Sequence, residues 1–275
     1  MIRHPKGARS PGGSLAYLRL AIVQLRISAS AAMAYRADFL LEGTLEAIWM
    51  ALVLLPLFVL YEGRESVAGW DQPSALILMS YFIGLRGVLE SVVSPSLVDL
   101  VERIRSGAFD YVLLKPVDAQ AMISTSRFEP WKIFDVLGAI VLAIYAFWLR
   151  GEGPAPADLA LGVLLFCSGV LAMYSLWVLC AAASFWVVRL DNLTFLLGAI
   201  FDTARWPIHV FRGAWRVVFT FVIPVAVMTT YPAMALLGRL DALTALATIG
   251  GSLALFVLSR LVWVAAIRSY TSASS

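Results

Sequence analysis

The sequence predicts an all-α membrane protein with six transmembrane helices, and three observations carry that prediction. Hydrophobic residues make up 61% of the 275 residues and charged residues only 14%, whereas soluble domains are roughly a quarter charged. Six apolar stretches meet or approach the roughly 20 residues that a helix needs to cross about 30 Å of hydrocarbon. Lys and Arg concentrate in the segments that alternate crossings place on one side. The six stretches are 43–61, 74–93, 133–149, 159–188, 217–237 and 242–267.

The first 42 residues form a polar, basic arm ahead of the first stretch. Apolar residues recur in it at spacings of three and four, at Leu15, Leu18, Ile22 and Leu25. This spacing is typical of a helix that lies in the membrane surface. We therefore expect an N-terminal arm over 1–42 with an interfacial helix, a six-helix domain over 43–268 and a tail over 269–275.

The distribution of basic residues predicts the orientation. The arm holds Arg3, Lys6, Arg9, Arg19, Arg26 and Arg36, and the segment after the second stretch holds Arg103, Arg105, Lys115, Arg127 and Lys132. The opposite side offers Arg64, Arg150 and Arg239 beside six acidic residues. Basic loops stay in the cytoplasm, so both termini are expected to be cytoplasmic. The basic residues follow a side of the membrane and not a single polar face, which excludes a nucleic-acid partner.

The segment 94–132 is the most informative polar part of the chain. Ser94-Pro95 has the form of a helix cap with a first-turn proline, and Gly107 has the form of a helix end. A second helix is expected to begin near Asp118. Between the first cap and Gly107, one face is apolar (Leu97, Leu100, Val101, Ile104) and the other charged (Asp99, Glu102, Arg103, Arg105). Such a helix can rest on the bilayer, and it is also a surface that a soluble motor subunit could grip.

The fifth crossing has two possible layouts, because Pro224 and Pro232 interrupt the apolar stretch 217–237. In the first layout, 192–216 is a cytoplasmic loop and 217–237 crosses. In the second, a crossing runs from about residue 190 to 206, and 207–237 folds back into the outer leaflet as a broken hairpin. Arg205, Arg212 and Arg216 favour the first layout through the positive-inside rule.

Four charged residues fall inside the apolar stretches near their cytoplasmic ends: Glu46, Arg86, Glu90 and Arg260. Arg86 and Glu90 are four residues apart and can pair along one helix face, and Glu46 could reach either arginine. We interpret the set as an intramembrane charge cluster with a structural pairing role, in preference to a gate or an entry for a charged headgroup. No charge is expected at the bilayer centre, which argues against a proton-coupled secondary carrier.

The sequence contains no motif for chemistry of its own. No phosphate-binding glycine loop, HExxH or GxSxG occurs, and the two histidines, His4 and His209, lie in unrelated segments. No catalytic residue, cofactor or metal site is therefore expected on this chain. Any active transport would need an energy source on another protein.

Several short motifs, in this order and spacing, resemble one family of transport proteins. Glu102-Arg103, Gly107, Asp110, Leu113-Leu114 and Pro116 resemble the "ER…G..(D/E)..L..P" segment of ABC transporter type-2 (ABC-2) permeases. Later motifs look like the bacterial ABC-2-type permease components of similar length, and the similarity extends from about Tyr35 to near the end. These motifs are Phe185-Trp186, Trp206-Pro207, Ile223-Pro224, Tyr231-Pro232-Ala233 and Arg268 to Ala273.

The resemblance implies a half-transporter of six helices in the bacterial inner membrane. A coupling helix between helices two and three would dock on a nucleotide-binding ATPase, and the residues carried over to it are Leu97, Leu100, Val101, Glu102, Arg103, Ile104, Gly107 and Asp110. A re-entrant hairpin containing Pro207, Pro224 and Pro232 would precede helix six, which favours the second layout. The implied partners are two ATPase copies carrying ATP and Mg²⁺, a second permease copy of the same or a paralogous chain, and membrane lipid.

From these observations we expect the membrane-spanning permease subunit of an ATP-driven exporter of an amphipathic or lipid-like substrate, and not an enzyme in itself. Two alternatives remain at the level of the sequence. One is a membrane scaffold or assembly factor that transports nothing, and the other is a secondary carrier. An associated ATPase would separate the first interpretation from both alternatives.

Overall fold

The computed structural model describes residues 19, 22–30, 36–186, 198–199, 201–211, 213 and 224–270. Over these residues the chain is helical apart from turns and one small antiparallel hairpin, in which Ser66 faces Asp71 and Val67 faces Trp70. Helix α1 covers 22–30, within the predicted interfacial helix; the residues before 19 in that prediction lie outside the described ranges. Its side chains Ile22, Leu25 and Ile27 are exposed, and its place on a membrane surface stays a prediction.

Five helices in the described part of the chain are long and apolar enough to cross a bilayer. The first is α2 (Arg36–Tyr61), which begins earlier than the predicted start at residue 43. After strands β1 (Ser66–Val67) and β2 (Trp70–Asp71) comes α3 (Gln72–Val88). The remaining three are α7 (Ile133–Arg150), α8 (Pro156–Ala183) and α10 (Ala242–Ser269). They correspond to the predicted first, second, third, fourth and sixth crossings.

Helix α3 does not stop where the sequence predicted a new helix. It runs through a π-helical turn (Leu89–Val93) directly into α4 (Ser94–Arg105), so that 72–105 is one helical rod. The predicted cap at Ser94 is wrong, because Ser94 has helical dihedral angles and donates its backbone N–H to the carbonyl of Leu89. A wide turn of this kind accommodates a residue that cannot join the regular ladder of hydrogen bonds.

Pro95 supplies the reason for the wide turn. It has no N–H to give to the carbonyl of Ser91, four residues earlier. That carbonyl instead accepts a bond of 2.9 Å from the backbone N–H of Glu129. Ser96 adds a second attachment, because its hydroxyl donates to the carbonyl of Arg127 at 3.0 Å. The end of the segment 94–132 is thus fastened to the place where the helix widens.

Two short helices follow the rod, and the sequence correctly predicted the end of α4 and the start of the second short helix. Helix α4 ends at Arg105, and Gly107 then takes a φ of +75°, as predicted for a residue that ends a helix in the left-handed region. The Phe109–Leu114 run forms the short helix α5 (Asp110–Leu113). Helix α6 (Ala119–Ser124) starts at the predicted place, with the Asp118 carboxylate accepting the N–H of Ala121 at 3.0 Å. A 3₁₀ turn (Pro130–Lys132) leads into α7.

Between α8 and α10 the described residues form short pieces and no long helix. There are 3₁₀ turns at Asp202–Arg205 and Ile208–Val210, then a π-helical turn (Ala226–Thr230) that continues into α9 (Tyr231–Leu236). Pro224 stands outside this helical piece, as expected for a proline that interrupts the stretch 217–237. Residues 187–197, 200, 212 and 214–223, which both layouts need, lie outside the described ranges.

Close glycine contacts set the positions of the helices. A Cβ on Gly87 of α3 would lie 2.9 Å from the Cβ of Asp135, so α3 and α7 touch there. Gly169, near the middle of α8, faces the backbone of Met228, and Gly162, nearer its start, faces Leu236. Among the described residues, the piece containing α9 therefore packs against α8 from near its start to about its middle.

The two ends of the bundle differ. The end that holds β1 and β2, here called the strand end, also holds the α7–α8 and α9–α10 turns, since Arg239 lies 3.9 Å from Asp71 and Gly238 lies against Asp158. Alternate helix directions place α4, α5, α6 and the end of α10 at the opposite end. We call that opposite end the charged end.

Candidate functional site

An ion network crosses three elements at the charged end. Lys132, just before α7, contacts the carboxylate of Glu46 on α2 and lies 2.5 Å from that of Glu90. Arg86 donates from Nε to the other oxygen of Glu90 at 2.7 Å, one helical turn away along the rod. Arg86 also lies over the ring of Trp49, 5.7 Å from its centre. Lys132 is buried, so the network fastens α2 to the rod and to the start of α7.

A third carboxylate enters the same network without a partner. Asp135 is only 5% exposed, and its Oδ2 atom has no hydrogen-bond partner among the described residues. Oxygens of Glu46, Glu90 and Asp135 all lie within 4.8 Å of one another, a spacing at which three carboxylates could hold a metal ion. The ammonium group of Lys132 already bridges two of them. With Arg86, the group contains three acids and two bases.

The predicted charge cluster is corrected by this arrangement. The structure brings Glu46, Arg86 and Glu90 together, but Glu46 contacts Lys132 and not an arginine. Arg260 pairs elsewhere. Lys132 and Asp135 were missed because one was read as part of the polar segment and the other as the start of an apolar stretch. The signal that could have identified Lys132 and Asp135 was their position, at the start of the apolar stretch 133–149 and directly after the basic segment 94–132.

Arg260 of α10 binds the start of α6. Its Nη1 donates to Asp118 Oδ1 at 3.0 Å and to Gln120 Oε1 at 2.7 Å, while Nη2 contacts Asp118 Oδ2. Burial acts to raise the pKa of Asp118, but the hydrogen bonds from Arg260 and from backbone amides outweigh it and hold that pKa below its ordinary value. Gln120 also donates to the hydroxyl of Tyr174 on α8 at 3.0 Å.

A cage of aromatic rings lies beside this pair. Phe109, at the turn before α5, is fully buried between Phe185 at the end of α8 and two residues of the end of α10, Trp263 and Tyr270. The ring centres lie 5.3, 6.5 and 5.4 Å from that of Phe109, respectively, in edge-to-face geometry. Sequence reasoning missed this cage, because its members come from three distant segments.

The residues predicted to contact an ATPase divide into buried and exposed groups. Leu97 and Leu100 are buried inside this chain and are unavailable to a partner. Val101, Arg103, Ile104, Gly107 and Asp110 are partly buried, and Glu102 is exposed. Arg103 pairs with Asp99 at 2.7 Å on the same helix. The apolar stripe of α4 therefore packs inward, a correction to the surface predicted for a partner.

The exposed apolar surface of this segment lies one element later. Tyr111 on α5 is 72% exposed and Leu114 just after it is 80% exposed, although neither belongs to a candidate membrane span. Val98 on the outer side of α4 and Leu113 are exposed as well. Large exposed apolar side chains outside the candidate spans, such as Tyr111 and Leu114, mark a candidate interaction surface.

Two of the hairpin prolines occupy buried positions, and the third borders a cavity. Pro207 and Pro232 are buried, and the segments around them are bonded, since Ile208 N–H donates to the Thr230 hydroxyl at 3.2 Å and Thr229 donates to the Ala204 carbonyl at 2.7 Å. Pro224 lines a groove of about 580 Å³ between α10 and the piece containing α9. Tyr231, Thr248, Gly251 and Leu255 also line this mostly apolar groove.

Comparison with known proteins gives one finding. The model of a family described as "ABC-2 family transporter protein" matches residues 47–274. The matched region includes all five candidate spans from within α2 onward, the segment 94–132 and the groove. No curated protein and no solved structure matches the chain.

Proposed function

The chain belongs to the ABC-2 family of transporter proteins, and from that premise we propose that it works as an exporter subunit energised by a separate ATPase. It is a multi-pass membrane permease of an ABC transporter. The proposed cargo is amphipathic or lipid-like. We propose that the protein lies in the bacterial inner membrane with both termini in the cytoplasm. ATP and Mg²⁺ would bind to the ATPase, of which we propose two copies beside a second permease copy, identical or paralogous.

The absence of a nucleotide-binding loop in the sequence supports a separate energy source. ABC-2 permeases generally work with an ATPase subunit, so the kind of partner follows from the family. The charged end would face the cytoplasm, because the basic segment 94–132 lies there and α2, which the basic arm precedes in the sequence, begins there. The ATPase would then meet α4, α5 and the turns beside them.

We place the ATPase contact on the exposed residues Tyr111 and Leu114, with Val98 and Glu102 at its edge. The observation that carries this proposal is the exposure of Tyr111 and Leu114 outside the candidate spans. Tyrosine is enriched at the energetic centres of protein interfaces, where a large ring can be fully desolvated. Leu97 and Leu100 would support this surface from inside by packing α4 onto its own chain.

The piece containing α9 supports a re-entrant element ahead of the last span. Among the described residues it packs against α8 at Gly162 and Gly169, toward the strand end, and its helix starts after Pro224. The twelve helical residues after Pro224 extend about 18 Å, which is less than the thickness of the hydrocarbon. The groove beside it has the volume and apolar lining of a small-molecule site, which supports an amphipathic cargo.

A purified complex tests the proposal. The chain carrying an affinity tag is extracted in mild detergent from membranes of the source organism, and Mg-ATP hydrolysis by the purified material is measured. We expect an ATPase to copurify. Replacing both contact residues (Tyr111→Ser with Leu114→Ser) should reduce its recovery at least about tenfold, since two central contacts of 1 to 2 kcal/mol each would be lost.

Trp148→Ser is the matched control. Trp148 is 75% exposed as well, but it lies near the end of α7 at the strand end, away from the proposed contact. Its replacement should leave the ATPase bound. Purification of the native chain without ATP hydrolysis would overturn the proposed function and favour a scaffold.

A further inference from the structure

We propose that α10 is the helix through which movement of the segment 94–132 enters the membrane domain, with Asp118 and Phe109 as its two points of attachment. This inference rests on the proposed function, since it assumes that an ATPase moves the segment. It assigns to Arg260, Trp263 and Tyr270 the role of positioning α10 against the segment 94–132. The sequence alone indicated no contact between these residues and that segment.

The first attachment is ionic. Arg260 holds the Asp118 carboxylate through both of its terminal nitrogens and holds Gln120 as well. A two-point pair of this kind restricts orientation as well as distance. Asp118 also caps α6 through the N–H of Ala121. Displacement of α6 would therefore displace Arg260.

The second attachment is apolar. Phe109 precedes α5 directly, and α5 carries the exposed Tyr111. The Phe109 ring is buried between Phe185, Trp263 and Tyr270, and Phe185 stands edge-on to the other two rings as well. A force applied to the exposed side of α5 would reach these rings, because closely packed side chains transmit displacement.

Both attachments reach one face of α10. Arg260 and Trp263 are three residues apart, and Tyr270 follows seven residues after Trp263. Residues at such spacings share a face of a helix. The segment thus holds the last three turns of α10 from one side, while the opposite half of the same helix, from Leu243 to Leu258, lines the groove.

Two alternative routes would run through α3, which is covalently continuous with α4, and through α8, since Tyr174 and Phe185 also contact the segment. Burial favours α10. The rod 72–105 is mostly buried among its neighbours, whereas α10 is mostly exposed to its surroundings. Among the described residues α10 packs mainly against α8, so it can shift with less loss of packing than a helix buried among several neighbours.

The test uses the complex described above, with Cys167 and Cys180 replaced by alanine and one cysteine introduced at Ala254, an exposed groove residue of α10. The rate of reaction with a fluorescent maleimide is measured with and without Mg-ATP and vanadate. We expect the nucleotide to change this rate at least about fivefold, the lower range of typical coupling between sites. A matched cysteine at Val141, an exposed residue of α7, should show no comparable change.

Phe109→Leu and Arg260→Gln should each abolish most of the nucleotide effect at Ala254→Cys while the ATPase still copurifies and hydrolyses ATP. Arg260→Lys keeps a positive charge and a donor beside Asp118 and should retain more of the effect than Arg260→Gln, a difference that a general loss of folding would not produce. Retention of the full effect in both single variants would overturn the inference, as would a larger nucleotide effect at Val141→Cys than at Ala254→Cys. These outcomes can be distinguished from failure of the proposed function, because in that case the native complex would not hydrolyse ATP.

Discussion

At the scale of single residues, Lys132 matters most because it neutralises two carboxylates that belong to different helices. Burying a charge is costly unless an opposite charge accompanies it, and Lys132 is that charge for Glu46 and Glu90. Asp135 lies in the same group with one oxygen unpaired. The network therefore holds one acid more than its bases can balance.

Replacing Lys132 with methionine should strongly destabilise the protein. The change leaves Glu46, Glu90 and Asp135 with Arg86 alone, and breaking a buried ion pair typically costs about 3–5 kcal/mol. The measurement is the thermal unfolding midpoint in detergent. The matched control is Lys115→Met, an exposed lysine whose loss should change stability by less than about 0.5 kcal/mol.

The substitution Asp135→Asn, in the same network, should change stability in the opposite direction from Lys132→Met. It removes the surplus acid at nearly constant volume, so the unfolding midpoint should rise or stay level, by up to about 1 kcal/mol. A clear loss of stability in Asp135→Asn would show that its charge has a partner that the network described above lacks.

The Asp118–Arg260 pair should make stability depend on pH in a defined direction. The pKa of Asp118 is lowered in the folded protein, so the pair's contribution is complete above the ordinary aspartate pKa and is lost as pH falls through the lowered value. The effect is small, since Asp118 is about one-third exposed and partly screened. Unfolding midpoints of the native chain and Asp118→Asn, which keeps a capping side chain, should converge at acidic pH.

At the scale of elements, the segment 94–132 shows what local sequence signals can and cannot predict. The helix end at Gly107 and the helix start at Asp118 were predicted correctly, because both depend on a single residue's conformational preference or capping bond. The start at Ser94-Pro95 was predicted wrongly. Pro95 can continue the rod only because Glu129, 34 positions later, bonds the carbonyl that Pro95 leaves open.

Gly107→Ala should destabilise the turn between α4 and α5. Gly107 has a φ of +75°, and a side chain in the left-handed region costs about 1–2 kcal/mol. The free energy of unfolding in detergent measures this cost. The control is Gly250→Ala. Gly250 lies inside α10 with open space around it, so alanine there should stabilise the helix by about 0.5–1 kcal/mol. Equal effects of the two changes would contradict the assigned role of Gly107.

At the scale of the whole molecule, the asymmetry between the two ends is the basis of the proposed orientation. The strand end holds the turns with few basic residues, and the charged end holds the basic segment 94–132. This distribution, together with alternate helix directions, predicts that the charged end lies in the cytoplasm.

Cysteine accessibility in intact cells tests that orientation. With Cys167 and Cys180 replaced by alanine, a membrane-impermeant maleimide should label Gly153→Cys, in the exposed α7–α8 turn, and should not label Tyr111→Cys. Permeabilised cells, in which both positions should react, provide the control. Labelling of Tyr111→Cys in intact cells would reverse the orientation and remove the proposed ATPase contact from the cytoplasm.

The sequence by itself determined that this is a membrane protein, where its five membrane-length helices lie, and to which family it belongs. The helices could be located because a segment in hydrocarbon must satisfy its own backbone hydrogen bonds and is therefore a long apolar stretch in the sequence. Only the tertiary structure decided which charges pair and which apolar residues stay exposed. Arg260 could have faced Glu46 or Asp118 equally well, and Leu100 could have faced a partner or its own core. Helical periodicity defines a face but not the neighbour that covers it, since the neighbour depends on how distant segments pack.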